Sequence, residues 1–161
     1  FGNSSEPRVD INSVAWSGSY SLAELTVTNT GLDNRPIESV LPALLKLDQD
    51  LLVPITNQFG KMTITSAYRH PSVNTRIGGS PTSQHPKGEA VDFTAVPNGT
   101  LKEVFKWIAV DSNLQFGQLI WEKGDDANPE WIHVSLGTKK EIKRYLGNDV
   151  YELCDENGII L

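Results

Sequence analysis

Residues 83–92, Ser-Gln-His-Pro-Lys-Gly-Glu-Ala-Val-Asp, set an imidazole, a turn-forming Pro-Lys-Gly and a carboxylate in one short passage from loop to strand. His85 and Asp92 have the chemistry of metal ligands. A catalytic zinc takes three ligands of the His, Asp or Glu type and keeps a further position for water. The chain has three histidines, and of the two outside this stretch only His133 lies in a strand-like segment, with Glu130 three residues before it. The expected centre is therefore Zn²⁺ on His85, Asp92 and His133. Such an ion lowers the pKa of a bound water from about 15.7 to about 7, which makes a nucleophile available near neutral pH.

Side chains alternate between the faces of a strand, so a regular strand would turn Glu130 and His133 in opposite directions. Reading Glu130 as the general base thus requires it to sit before the strand, in the turn after Pro129, where it could take the proton of the water and deliver it to a leaving amine. Arg69 closes the preceding strand-like run and offers a planar fork of donors to a substrate carboxylate or a developing oxyanion. Tyr68 or Ser83 could help position the substrate. His70 is expected on a loop surface. Asp125 and Asp126 lack the alternating oxygens and final Glu of an EF-hand and are read as turn residues. The acceptor patterns at Asn3 and Asn98 are read as chance, and no phosphate-binding Gly-rich loop, His-Glu-x-x-His or Gly-x-Ser-x-Gly elbow occurs.

The elements that must hold these groups can be read from period and punctuation. Residues 61–66 alternate as a half-buried strand and lead to Arg69. A loop over 71–84, with one helical turn near 73–77, carries Gly78-Gly79, and residues 88–94 read as a strand on which Ala90 and Asp92 share a face. Residues 118–122 and 131–136 flank a turn-rich stretch and predict an antiparallel hairpin. Behind them, apolar residues at three-and-four spacing over 37–59 predict the main core helix; Pro42 suits its first turn, Pro54 should kink or end it, and Gly60 should stop it. Capping boxes at Ser21-Glu24 and Thr100-Glu103 start two further helices. Residues 138–146 are read as a capped helix ending at Gly147, with Lys139, Lys140, Lys143 and Arg144 on its solvated face. Residues 150–154 and 159–161 are read as a hairpin around Asn157-Gly158. The sum is an α+β domain with a central antiparallel sheet and helices packed on it.

The 161 residues fit a single domain, 1–161, opened by an arm over 1–20. A net charge of −6 with scattered basic residues argues against a nucleic-acid partner. Cys154 is the only cysteine, which excludes an intrachain disulfide, and it is read as a small packed side chain. No apolar run reaches the roughly 20 residues that cross a bilayer, so no membrane insertion is expected. No secretory signal is visible, and because the chain opens at Phe1 a leader or a further domain before it stays open, as does the oligomeric state.

The pattern Ser-x-His-x-x-Gly-x-Ala-x-Asp at Ser83, His85, Gly88, Ala90 and Asp92, followed by Glu-x-x-His at Glu130 and His133, resembles the zinc D-alanyl-D-alanine carboxypeptidase-like metallopeptidases, which share the hedgehog fold. Ser66-Ala67-Tyr68-Arg69, Asn74 and Gly78-Gly79-Ser80 resemble the block before that family's metal site, and Leu32-Asp33-Asn34 resembles a turn of its phage and bacterial members. The likeness runs from about residue 20 to 136 and leaves 138–161 outside. It implies one Zn²⁺ on His85, Asp92 and His133, Glu130 as base and Arg69 on substrate. It also implies peptidoglycan stem peptides as partner, at the bacterial wall in periplasm or outside the cell, in a phage-encoded or bacterial protein. D-Ala-D-Ala carboxypeptidase is the nearest activity; alternatives are an L-Ala-D-Glu or crossbridge endopeptidase of endolysin type, or a non-catalytic zinc-bearing wall-binding module.

Overall fold

The computed structural model describes residues 6–161, so the Asn3 acceptor pattern and the start of the arm lie outside the described residues. Six strands form one sheet: β1 (Thr63–Ser66), β2 (Ala90–Ala95), β3 (Gln118–Glu122), β4 (Trp131–Ser135), β5 (Glu141–Gly147) and β6 (Val150–Leu153). Their order is β1-β2-β4-β3-β5-β6. Neighbours run antiparallel except for β3 and β5, which are parallel. The architecture is α+β, as expected, with a sheet that is mixed through that one pair.

The period of two divides the chemistry from the core. Val91, Phe93, Leu119, Trp121, Ile132 and Val134 are fully buried in one cluster with the helical residues Leu44, Leu47, Leu51 and Phe105. Burying one such side chain contributes about 1.5–3 kcal/mol. Residues of the opposite parity, among them Asp92, Ile120, Glu122 and His133, line an open cavity.

The main helical stretch persists through Pro54. It runs as α2 (Leu41–Leu47), a π-helical segment Asp48–Leu52 and α3 (Val53–Phe59), and ends at Gly60. Proline has no N–H and crowds the carbonyl four residues back. Widening the preceding turn, in which the Val53 N–H donates to Asp48 O, lets the helix absorb it instead of breaking. The same segment presents Asp48, which is buried and accepts from Ser19 N–H (2.8 Å), Ser19 Oγ–H (2.8 Å) and Tyr20 N–H (3.0 Å). The described part of the arm is thereby tied to the core. α1 (Leu22–Leu25) and α5 (Leu101–Lys106) both carry their expected capping boxes.

The helix expected over 138–146 is a strand. Lys140 adopts φ 51°, which interrupts a right-handed helix, and its N–H and that of Glu141 donate to Phe116 O and Gly117 O. Pairing then continues from Gln118↔Glu141 to Glu122↔Tyr145. The four cations are consequently not one solvated face: Lys143 turns to the cavity, while the Arg144 guanidinium lies 5.5 Å over the Trp121 ring. β6 pairs with β5, and the expected terminal hairpin is present in short form: the bridge Cys154↔Ile160 is flanked by Leu161 N–H donating to Leu153 O (3.1 Å) and Asp155 N–H donating to Ile159 O (2.9 Å). Cys154 is buried, as expected.

Asp48→Ala should leave three donors without their acceptor and lower stability by on the order of 3 kcal/mol. Denaturant unfolding would check it, and a loss below about 0.5 kcal/mol would show that the arm docks without Asp48.

Candidate active site

Asp92 lies opposite His133 across the β2–β4 ladder, and Asp92 Oδ1 is 2.8 Å from His133 Nδ1. His85 reaches the same point from a 3₁₀ turn, His85–Lys87, with Nε2 3.3 Å from Asp92 Oδ2. That turn closes on Gly88 at φ 73°, where a β-carbon would also stand 3.1 Å from Leu44, so both the backbone and the space favour glycine. The His85 Nδ1 atom is 2.7 Å from Ala67 O and can only donate to it, which leaves Nε2 as the free lone pair. One donor atom from each of the three residues lies within 4.8 Å of the other two, an arrangement that could hold a metal ion. Burial opposes the charge on Asp92, but the His85 and His133 imidazoles outweigh it and hold the carboxyl well below the usual carboxylate range.

Arg69 stands beside this group. Its guanidinium donates to Asn74 Oδ1 (3.0 Å) and Ser66 Oγ (3.3 Å), with Nη2 4.0 Å from Asp92 Oδ2. Gly79 makes that clamp possible, because a β-carbon there would meet Asn74 Oδ1 at 2.0 Å. Asn74 belongs to α4 (Pro71–Arg76), the helical turn expected in this loop. His70 is not on the surface: it is buried and caps α4, its Nδ1 accepting from Ser72 N–H. Ser83 lines the cavity, and its hydroxyl accepts from His85 N–H.

Two expected site residues do not line the cavity. Tyr68 is fully buried in the core and does not line the cavity, since the strand end turns its neighbour Arg69 outward instead. Glu130 does sit before β4, in the turn after Pro129, but its side chain is exposed and it is not among the residues lining the cavity. Its N–H donates to Glu122 O, so the ladder geometry already reaches it, and its parity is that of core-facing Ile132.

Among the carboxylates that line the cavity beside Asp92, Glu122, the last residue of β3, is the buried one. It pairs with Trp131, two residues from His133 on the same face. Burial, and then the Asp92 charge, push its carboxyl up to about 7, against the opposing pull of His133 and Lys123. The signal was present in the expected hairpin: pairing 122 with 131 sets Glu122 on the face of His133, and a glutamate ending the apolar run Leu119-Ile120-Trp121 is otherwise unexplained.

The model of the family described as Peptidase M15 matches residues 19–135, and the chain belongs to that family of zinc-dependent peptidases. A comparison with curated proteins finds no significant match. The three converging ligand atoms suit the zinc that the family uses.

Between about pH 4.5 and 7 Glu122 is protonated in the folded chain and ionised in the unfolded one, so this group favours folding most below that window and loses the contribution as pH rises through it. Metal-free Glu122→Gln, which keeps the shape without the charge, should therefore be more stable than its parent at about pH 8, by on the order of 3 kcal/mol. The gain should fade by about pH 5. Thermal melts at both pH values check this, and an equal gain at each would assign it to packing.

Proposed function

We propose that the chain hydrolyses peptide bonds of peptidoglycan stem peptides with zinc held by His85, Asp92 and His133 and with Glu122 as general base. The observation that carries the reading is a buried carboxyl, that of Glu122, facing the same cavity as three convergent ligand atoms. When bound, the ion supplies a Lewis acid and an acidified water. Glu122, which faces the cavity on the side of His133, would take the proton of the attacking water and return it to the leaving amine. Arg69, held in place by Asn74 and Ser66, offers its fork to a substrate carboxylate or to the oxyanion. The Ala67 carbonyl keeps His85 in one tautomer throughout.

D-Ala-D-Ala carboxypeptidase is the first activity proposed, supported by the resemblance of the motifs and by an arginine suited to a terminal carboxylate. Endopeptidase action at L-Ala-D-Glu or a crossbridge is the second, favoured by one observation: the cavity, about 990 Å³, extends from the loop at Gly78 to Tyr151 on β6, at the upper end of the 300–1,000 Å³ usual for small-ligand sites. Either activity would be exercised at the bacterial wall, by a bacterial or a phage-encoded protein. Among the described residues, no helix is long and apolar enough to cross a membrane.

Elemental analysis should find about one zinc per chain, most of it lost in His133→Ala. Glu122→Gln should keep the metal and lose about 10²–10⁴-fold in cleavage, whereas Glu130→Gln should stay within a few-fold of the parent. Defined muropeptides digested with zinc and read by mass spectrometry separate the two activities, terminal alanine marking the first and a split stem or crosslink the second. Full loss in Glu130→Gln with Glu122→Gln active would reverse the assignment of the base. Wall binding by the zinc-loaded protein with no cleavage would favour a non-catalytic module.

A further inference from the structure

The cross-strand row that contains Asp92 and His133 does not stop at them. It continues through Ile120 on β3 to Lys143 on β5. Neighbouring strands are about 4.8 Å apart, so the Lys143 backbone stands about 10 Å from that of His133. It does so on the side away from Arg69, which sits by Ser66 at the β1 flank. Two cations therefore flank the ligand group from opposite directions.

Lys143 lines the cavity and keeps 27% of its side chain exposed, with Nζ donating to Glu141 Oε1 at 3.0 Å. Glu141 is itself anchored, since the same oxygen accepts from Gln118 Nε2 at 2.9 Å. An ammonium has three donors, and this contact uses one. In the next row Tyr145 and Tyr151 stack with centroids 4.5 Å apart and planes tilted by 32°, and both line the cavity. Tyr151 is about half exposed, which leaves a large apolar ring facing solvent beside a cation. The cavity carries the carboxylates Glu89, Asp92, Glu122, Glu141 and Asp149 against Arg69, Lys87, Lys139 and Lys143, and the chain is acidic overall, so a cation fixed in place, as Lys143 is by its ion pair, favours entry of an anionic peptide.

We propose that Lys143, backed by the Tyr145–Tyr151 pair, is a specificity subsite that binds a free carboxylate of the substrate peptide within about three residues of the cut bond, three being what about 10 Å spans in extended chain. The subsite rests on the peptidase reading above. All of its residues lie in 138–161, beyond the family match at 135.

The test uses zinc-loaded protein and the pentapeptide L-Ala-γ-D-Glu-L-Lys-D-Ala-D-Ala, compared with analogues amidated at the D-Glu α-carboxyl or at the C-terminus. Amidation at one of these positions should lower kcat/KM of the parent by about 10–100-fold, mainly through KM. Lys143→Met should bring that ratio near one and Lys143→Arg should retain it. A ratio unchanged in Lys143→Met, or a parent indifferent to both amidations, would overturn the subsite. Calorimetric binding of the same peptides to Glu122→Gln, with and without Lys143→Met, reads the preference without turnover. Absence of cleavage thus counts against the activity, and absence of Lys143 dependence counts against the subsite.

Discussion

The contact between Asp92 and His133 is a side-chain pair, but it is the ladder between β2 and β4 that creates it. Strand side chains have a period of two, so slipping this register by one residue would send Asp92 into the apolar layer and bring Val91 or Phe93 to the cavity. Burying an unpaired carboxylate there costs several kcal/mol, as does exposing a phenyl ring that the helices otherwise cover. The core therefore protects the site: the fully buried Val91, Phe93, Ile132 and Val134 lock the register that aligns the ligand atoms. His85 is added to this pair by local means, a proline-containing 3₁₀ turn and a carbonyl that selects its tautomer.

The site works against the stability of the fold at one residue. Asp92 is held ionised by two imidazoles, and its charge then disfavours a second carboxylate nearby, so Glu122 bears both its own burial and that repulsion. A structural glutamate would find a cation or move to the surface. Glu122 instead ends β3 inside the cavity, an arrangement that suits the role of base proposed for it. Function and stability thus pull in opposite directions at this side chain, and the apolar cluster behind the sheet offsets the difference.

Local patterns made the ligand set legible because both of its parts are short. The turn and strand of 83–92 and the strand around His133 each announce their residues, and the period of two brings Asp92 and His133 to one face. What stayed hidden depended on partners distant in sequence. Residues 141–147 contain good helix formers, and only pairing with β3 makes them a strand, a case of tertiary context overriding propensity. Glu130 stands out by its spacing from His133, whereas Glu122 reaches the cavity by its register with Trp131. Tyr68 and Arg69 are adjacent at a strand end and face different ways, so Arg69 lines the cavity while Tyr68 enters the core.

The parallel strand also explains why Glu122 is buried at all. In the order β4-β3-β5-β6, β3 is central, and Glu122 is flanked by Trp131 on one side and by Tyr145 on the other, with Tyr151 beyond. Without β5 and β6, β3 would be an edge strand and its last carboxyl would lose the cover of Tyr145 and Tyr151, leaving the Asp92 charge as the remaining cause that raises its pKa. The proximity shows in the partner as well: burial, and then the Glu122 charge, push the Tyr151 phenol up to about 12. The ligand atoms come from the family-matched part of the chain, and the environment that tunes the carboxylate beside them comes in good measure from the segment that follows it.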